Sequence, residues 1–250
     1  MMQILKDIYY TNTDVLRKTW KGLIKSWPIV FTGLFYTFAT ILLYMLVPYF
    51  GILGGLLMII GTSALISNYL YLLSNIVKRG KFDYQDFKEG FTAYLRKVWG
   101  LLFFAYVASL GMSYFIIPIL RGLLPPVILN LILTLGIFIL FNVIPEVIYQ
   151  KYYNPWETIV YAVEFIKDNV IEWFIPNLIL IGVLYFLTGE LLTGIFNYYI
   201  SVTGLLSSPY NIVIYIVGQI WFSLLMIYRG YLFNTLSTSS RRKRMFMRKF

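Results

Sequence analysis

The sequence predicts an all-α protein that crosses a membrane six times, and three observations carry that prediction. Hydrophobic residues make up 59% of the 250 and charged residues 13%, more apolar surface than a soluble domain could cover with polar groups. Six apolar stretches, at about 28 to 47, 52 to 77, 98 to 120, 123 to 149, 173 to 199 and 209 to 236, each reach the roughly 20 residues that hydrocarbon ~30 Å thick requires. Twenty of the 21 Lys and Arg residues fall on one side of that layout. Because Lys and Arg in short loops stay on the cytoplasmic side, both termini are expected in the cytoplasm and the chain in the cell (inner) membrane.

Before the first span lie Lys6, Arg17, Lys18, Lys21 and Lys25, in a polar stretch that reads as cytoplasmic rather than as a cleavable signal peptide. The first and second spans join near Tyr49, a connection without basic residues. Gly51, Gly55 and Gly61, with Gly54, Ser63, Ala64 and Ser67, give the second span small residues at helical spacing, read as close packing within the chain. Lys78, Arg79, Lys81, Lys88, Arg96 and Lys97 separate it from the third. Arg121 is the lone base between the third and fourth spans, and Lys151 and Lys167 precede the fifth. The sixth begins beyond Ser207 and is followed by the tail RRKRMFMRKF, whose six positive charges suit anionic lipid and also suffice as a topology determinant. Pro118, Pro145 and Pro176 stand inside or at the edges of spans and are expected to kink or end them.

The segments before the first, third and fifth spans resemble one another. DVLRKTWKGLIKSW from Asp14 to Trp27 and DFKEGFTAYLRKVW from Asp86 to Trp99 share an acidic start and a tryptophan end, and Trp173 follows Trp99 at a similar interval. That period predicts three repeated units, about 10–80, 81–150 and 151–236, within a single membrane domain that ends in a basic tail at 237–250. Each unit is read as a cytoplasmic amphipathic interfacial helix followed by a transmembrane hairpin. In the third, Trp156, Ile159, Val160, Val163, Ile166 and Val170 recur at three and four residues, and Asn154–Pro155 makes a good helix start. In the second, Phe87, Phe91, Tyr94, Leu95 and Val98 do the same. The alternative is that these segments are cytoplasmic extensions of the spans.

Pro145 in NVIPEVIYQ, followed by Glu157, Ile159, Phe165, Lys167 and Asn169, resembles the membrane-domain family of glycerophosphoryl diester phosphodiesterases and its YciC-like relatives. There a span ends in proline and a helix of the form E-A-L-x-x-S-x-x-L-x-K-x-N leads into the next. Thr158 and Ala162 depart from that pattern, and the motif covers about 30 residues. The resemblance implies a six-helix membrane fold and no hydrolysis, since nothing here looks like the phosphodiesterase catalytic domain.

Glu190 is the sharpest candidate residue. Within a fifth span of 173 to 199 it falls roughly 6 Å beyond the membrane centre, where an ionisable group costs at least about 3 kcal/mol and should face a cavity or a partner. Thr193 and Asn197, with Thr188, would help it hold a proton, a cation or a head group; otherwise it is a structural carboxyl bonded to a neighbouring helix or to Arg121. Glu146 and Arg229 lie at similar depth near the cytoplasmic ends of the fourth and sixth spans, so they form a structural ion pair or Arg229 snorkels to the head groups.

With no His and no Cys, the usual zinc, His-base and thiol chemistries are excluded, and no P-loop or G-x-S-x-G appears. No catalytic residue, metal or cofactor is assigned. The net charge of +10 is explained by topology, so no nucleic-acid partner is expected. Two function classes follow: a non-enzymatic protein that binds or moves a lipid-like amphiphile through a bundle cavity containing Glu190, or a structural or accessory subunit whose cytoplasmic face recruits a protein partner. Membrane lipids are partners in either case.

Overall fold

A computed structural model describes residues 2–120, 125–200 and 208–239. Arg121 and the basic tail from Arg241 to Lys249, with Phe246 and Phe250, lie outside the described residues. All regular elements among the described residues are helical, and six helical stretches are long and apolar enough to span a membrane. The protein is therefore a helical, multi-pass membrane protein. One end of the bundle carries Lys25, Lys78, Arg79, Lys97 and Lys151 and is called the basic end below; the other is the far end.

Helix α1 (Met2–Lys25) packs along α10 (Pro209–Thr238). Its buried positions include Asp7, Thr11, Val15, Thr19 and Leu23, one every fourth residue, with Gly22 beside the last, which is the spacing that keeps one helix face against a neighbour. Small side chains there let the two helices approach closely, and the Tyr228 hydroxyl donates to Asn12 Oδ1 across the contact. A second face exposes Tyr9, Leu16, Trp20 and Ile24.

Helix α2 (Ile29–Leu46) turns Ile29, Thr32, Gly33, Tyr36, Thr37 and Thr40 inward. The threonine hydroxyls return to their own helix, Thr32 to Ile29 O at 2.7 Å and Thr37 to Gly33 O at 2.8 Å, so a polar face is buried at little cost. A 3-10 turn over Val47–Leu53 leads into α3 (Gly54–Arg79). Gly51 lies in that turn at φ 50, a conformation glycine adopts freely. The expected Gly51 to Gly55 spacing on one helix face is therefore corrected: the helix starts at Gly54, and Gly61 meets Leu43 instead.

Helix α4 (Tyr84–Ala93) opens with a reciprocal capping box between Asp83 and Asp86. It lies on α3, where Gly90 faces the Asn68 backbone, Ser67 donates to Gly90 O at 2.7 Å, and Arg79 pairs with Asp86 at 2.5 Å. Helix α5 (Leu95–Gly111) continues through a π-helical segment, Met112–Ile116, into α6 (Ile117–Leu120), so Pro118 sits just past a widened turn. Helix α7 (Pro126–Phe141) breaks at Asn142–Val143 before α8 (Ile144–Gln150), whose first turn holds Pro145.

Helix α9 (Pro155–Thr188) is two helical stretches joined across a kink. It starts at a capping box between Asn154 and Glu157 and departs from helical geometry at Asn169; Pro176 lies buried within it. It ends at Gly189, whose φ of 73 is the left-handed stop that glycine favours. The fifth span was expected to run to residue 199; residues 189–200 are not helical.

The core runs from the basic end, where Tyr149, Trp173, Tyr228 and Phe233 are fully buried, to the middle of the bundle, where Tyr36, Tyr69 and Phe222 are. Helices α5 to α7, by contrast, expose Phe103, Tyr106, Phe115, Ile119, Leu131 and Leu135, the distribution expected where lipid is the solvent.

Candidate functional site

Near the basic end, α8 and α10 meet through a buried ion pair. Arg229 Nε donates to Glu146 Oε1 at 2.7 Å and Nη2 to Oε2 at 3.0 Å, a bidentate arrangement. Nη2 also donates to the carbonyl of Asn142, and the guanidinium carbon stands 5.3 Å from the centre of the Trp173 ring. Trp173 Nε1 in turn donates to Asn142 Oδ1 at 2.7 Å. The break between α7 and α8 makes this possible, because Asn142 at the end of α7 frees its carbonyl from the helix ladder. The arrangement joins α7, α8, α9 and α10 at one point and leaves the carboxylate fully engaged.

The far half of the bundle is built differently. Thr188 and Ile200 both press on Gly218, nine residues and roughly 13 Å along α10 from its start at Pro209. The segment between them therefore departs from and returns to a level well inside the bundle. Within it Leu192 and Tyr198 are buried; the Tyr198 ring lies 5.7 Å from that of Tyr36, and its hydroxyl is 3.4 Å from Thr40 Oγ1. Non-helical backbone at membrane depth is tolerated where protein or a polar cavity covers it, and Tyr36, Thr40 and Gly218 provide such cover.

Glu190 belongs to this segment and not to a helix; its backbone N–H donates to Thr188 Oγ1 at 3.2 Å. It is half-buried, on the side of Tyr215. Thr193 is exposed, and Asn197 Nδ2 donates to Gly194 O at 2.7 Å, closing a local turn. The sequence suggests one site from Glu190, Thr193, Asn197 and Arg121; the structure places the first three on one non-helical segment, and Arg121 is outside the described residues.

Two apolar clefts flank α5. One, about 550 Å³, lies between α3 and α5 and is lined by Leu56, Ile59, Thr62, Trp99, Phe103 and Tyr106. The other, about 370 Å³, lies between α5, α8, the start of α9 and the non-helical segment, with Leu101, Phe104, Ala108, Trp156, Ile195 and Phe196 among its walls. Neither is lined by Glu190. The residues missed from sequence were these wall positions: Leu101, Phe104, Ala105 and Ala108 follow helical spacing on one face of α5, with alanines where the cleft is open, but an apolar face on a span reads as ordinary lipid contact.

Among the described residues no group of three acidic, His or Cys side chains could hold a metal ion. Comparison with protein-family models, with curated proteins and with solved structures found no match.

Proposed function

We propose that this is a non-enzymatic membrane protein that binds, and through that binding handles, a lipid-like amphiphile whose chain lies in the cleft between α5, α8 and α9. One observation carries the reading: the segment 189–200, which brings Glu190 and Asn197 into the far half of the bundle, also forms a wall of that apolar cleft through Ile195 and Phe196. A ligand with an apolar chain and a polar group matches both parts. The reading includes an inner-membrane location with both termini cytoplasmic, supported by the placement of Lys and Arg. It also includes three repeated units with interfacial helices. Helix breaks at Ser26–Pro28, Tyr94 and Asn169, each close to one of Trp27, Trp99 and Trp173, support that repeat. Kinship with the YciC-like family belongs to the same reading, on Pro145, Glu157, Lys167 and Asn169.

The test is lipid retention by the purified full chain, measured by native mass spectrometry. Ala108→Trp fills the cleft from an exposed position and should abolish most retention; wild-type protein without bound lipid, or a variant that retains as much, rejects the reading.

A second reading, an accessory subunit that recruits a partner at the basic end, draws on the filled core there, where Tyr149, Trp173, Tyr228 and Phe233 leave the bundle packed. It predicts that changes on the exposed face of α1 matter more than changes in the cleft.

A further inference from the structure

We propose that Lys78 and Lys97, facing the ring of Tyr152 at the basic end of the cleft beside α5, bind the phosphate of an anionic phospholipid whose acyl chain occupies that cleft. The proposal rests on the amphiphile reading above and adds the head-group class. Both ammonium groups stand 6.0 Å from the centre of the Tyr152 ring, brought there from α3 and α5. Lys97 Nζ is held by the carbonyl of Lys151 at 3.2 Å. Among the described residues neither lysine forms an ion pair with a carboxylate; the pairs there are Arg79 with Asp86 and Arg229 with Glu146. Two cations that share one aromatic ring repel each other, and an anion between them reverses the sign of that interaction.

The apolar half of the ligand follows from the helix. Lys97, Leu101, Phe104 with Ala105, and Ala108 stand on successive turns of one face of α5, so the charged end leads directly into the cleft wall. Pro155 packs on Gly100 between them, and Trp156 lines the cleft just beyond. A phosphate followed by a long chain satisfies this order of groups. A soluble phosphate would use the lysines and leave the cleft empty; a lipid without phosphate would leave the lysines facing each other, and a zwitterionic one such as phosphatidylcholine would bring a third cation to them. Lysine suits the task, as a compact charge with three donors for phosphate oxygens.

The experiment offers the purified full chain an equal mixture of phosphatidylglycerol and phosphatidylcholine with identical acyl chains and reads the retained ratio by native mass spectrometry. Wild-type protein should favour phosphatidylglycerol, and Lys97→Gln and Lys78→Gln should each lower the ratio by about fivefold, the value of roughly one surface charge. Lys97→Arg should keep it. Lys78 is exposed and supports no packing, so Lys78→Gln decides the matter should Lys97→Gln aggregate. A wild-type ratio near one, or ratios unchanged in both glutamine variants while both lipids are still retained, overturns the head-group assignment and leaves the cleft reading standing. Retention of neither lipid removes the cleft reading itself. Displacement of phosphatidylglycerol by millimolar inorganic phosphate assigns the lysines to a soluble anion and also overturns the proposal.

Discussion

Arg229 and Glu146 close a two-pronged ion pair at 2.7 and 3.0 Å inside the helix bundle, with both side chains buried. Their separation in sequence is large, yet the pair and its neighbours Asn142 and Trp173 tie four helices together. Desolvating two charges offsets much of their attraction, so the pair specifies how the helices meet more than it stabilises them.

Removing one partner should therefore hurt more than removing both. Glu146→Leu leaves a buried guanidinium without its counter-ion and is expected to cost about 3–5 kcal/mol, whereas Glu146→Leu with Arg229→Met should recover most of that loss. A charge swap should rescue poorly, because the carbonyl of Asn142 and the face of Trp173 both suit a cation at position 229 and oppose a carboxylate. Thermal unfolding in detergent, followed by the loss of monodisperse protein, ranks the variants. Full recovery by the swap would show that these two neighbours contribute nothing.

Glycines in this fold divide by what stands beside them. An added methyl at Gly90 would meet the Cα of Asn68 at 3.1 Å and its carbonyl oxygen at 3.2 Å, and at Gly230 it would meet Tyr149 Oη at 2.6 Å. Backbone cannot yield as a side-chain tip can, so Gly90→Ala is expected to cost about 1–3 kcal/mol by forcing α4 off α3. Nothing lies within 4 Å of the corresponding methyl at Gly136 or Gly182. Alanine at those helical sites should be neutral or stabilise by up to about 1 kcal/mol. Midpoints of thermal unfolding separate the two classes.

Helix α4 should carry a pH dependence. The backbone N–H of Asp86 donates to the Asp83 carboxylate at 3.0 Å and holds its pKa below the ordinary carboxylate value. A carboxyl whose folded pKa is depressed contributes stability above its unfolded pKa and loses that contribution as pH falls through the folded value. Asparagine caps nearly as well and does not titrate. Wild-type protein should thus lose stability relative to Asp83→Asn below about pH 4, as read from paired unfolding curves at pH 7 and pH 3. Parallel curves would mean that the cap does not titrate.

What sequence could and could not reveal follows from the range of each interaction. Hydropathy is summed over a whole span, and all six apolar stretches hold a helix long enough to cross, although the fifth ends at Thr188 rather than at residue 199. Caps act over three residues, so Asn154–Pro155 identified the start of α9. The far end of the same helix was hidden, because Leu191, Leu192, Ile195 and Phe196 continue the apolar run beyond Gly189; the lone glycine was the signal for a stop, and hydropathy outweighed it. Depth along a span is all that sequence offers for Glu146 and Arg229. The carbonyl of Asn142 and the ring of Trp173 come from other helices, and no spacing announces them. The meeting of Lys78 and Lys97 at Tyr152 is equally non-local, and the same residues read only as topology determinants.

Orientation can be tested cleanly because the chain contains no cysteine, so any single cysteine introduced is the only thiol. Tyr49 lies in the turn between α2 and α3 and Lys88 on α4, at opposite ends of the bundle, and both are exposed. If basic residues stay in the cytoplasm, a membrane-impermeant maleimide applied to intact cells should label Tyr49→Cys and leave Lys88→Cys unmodified until the membrane is opened. The same approach probes α1, whose Leu16 stands on the exposed apolar face and whose Lys18 stands on a basic one. With a polarity-sensitive thiol dye on the reconstituted protein, emission from Leu16→Cys should shift to the blue in liposomes relative to Lys18→Cys, since an interfacial helix buries one face about 5–10 Å into the head-group boundary. Equal emission from the two would place α1 in water, and labelling of Lys88→Cys from outside would invert the topology on which the cytoplasmic assignment of the termini depends.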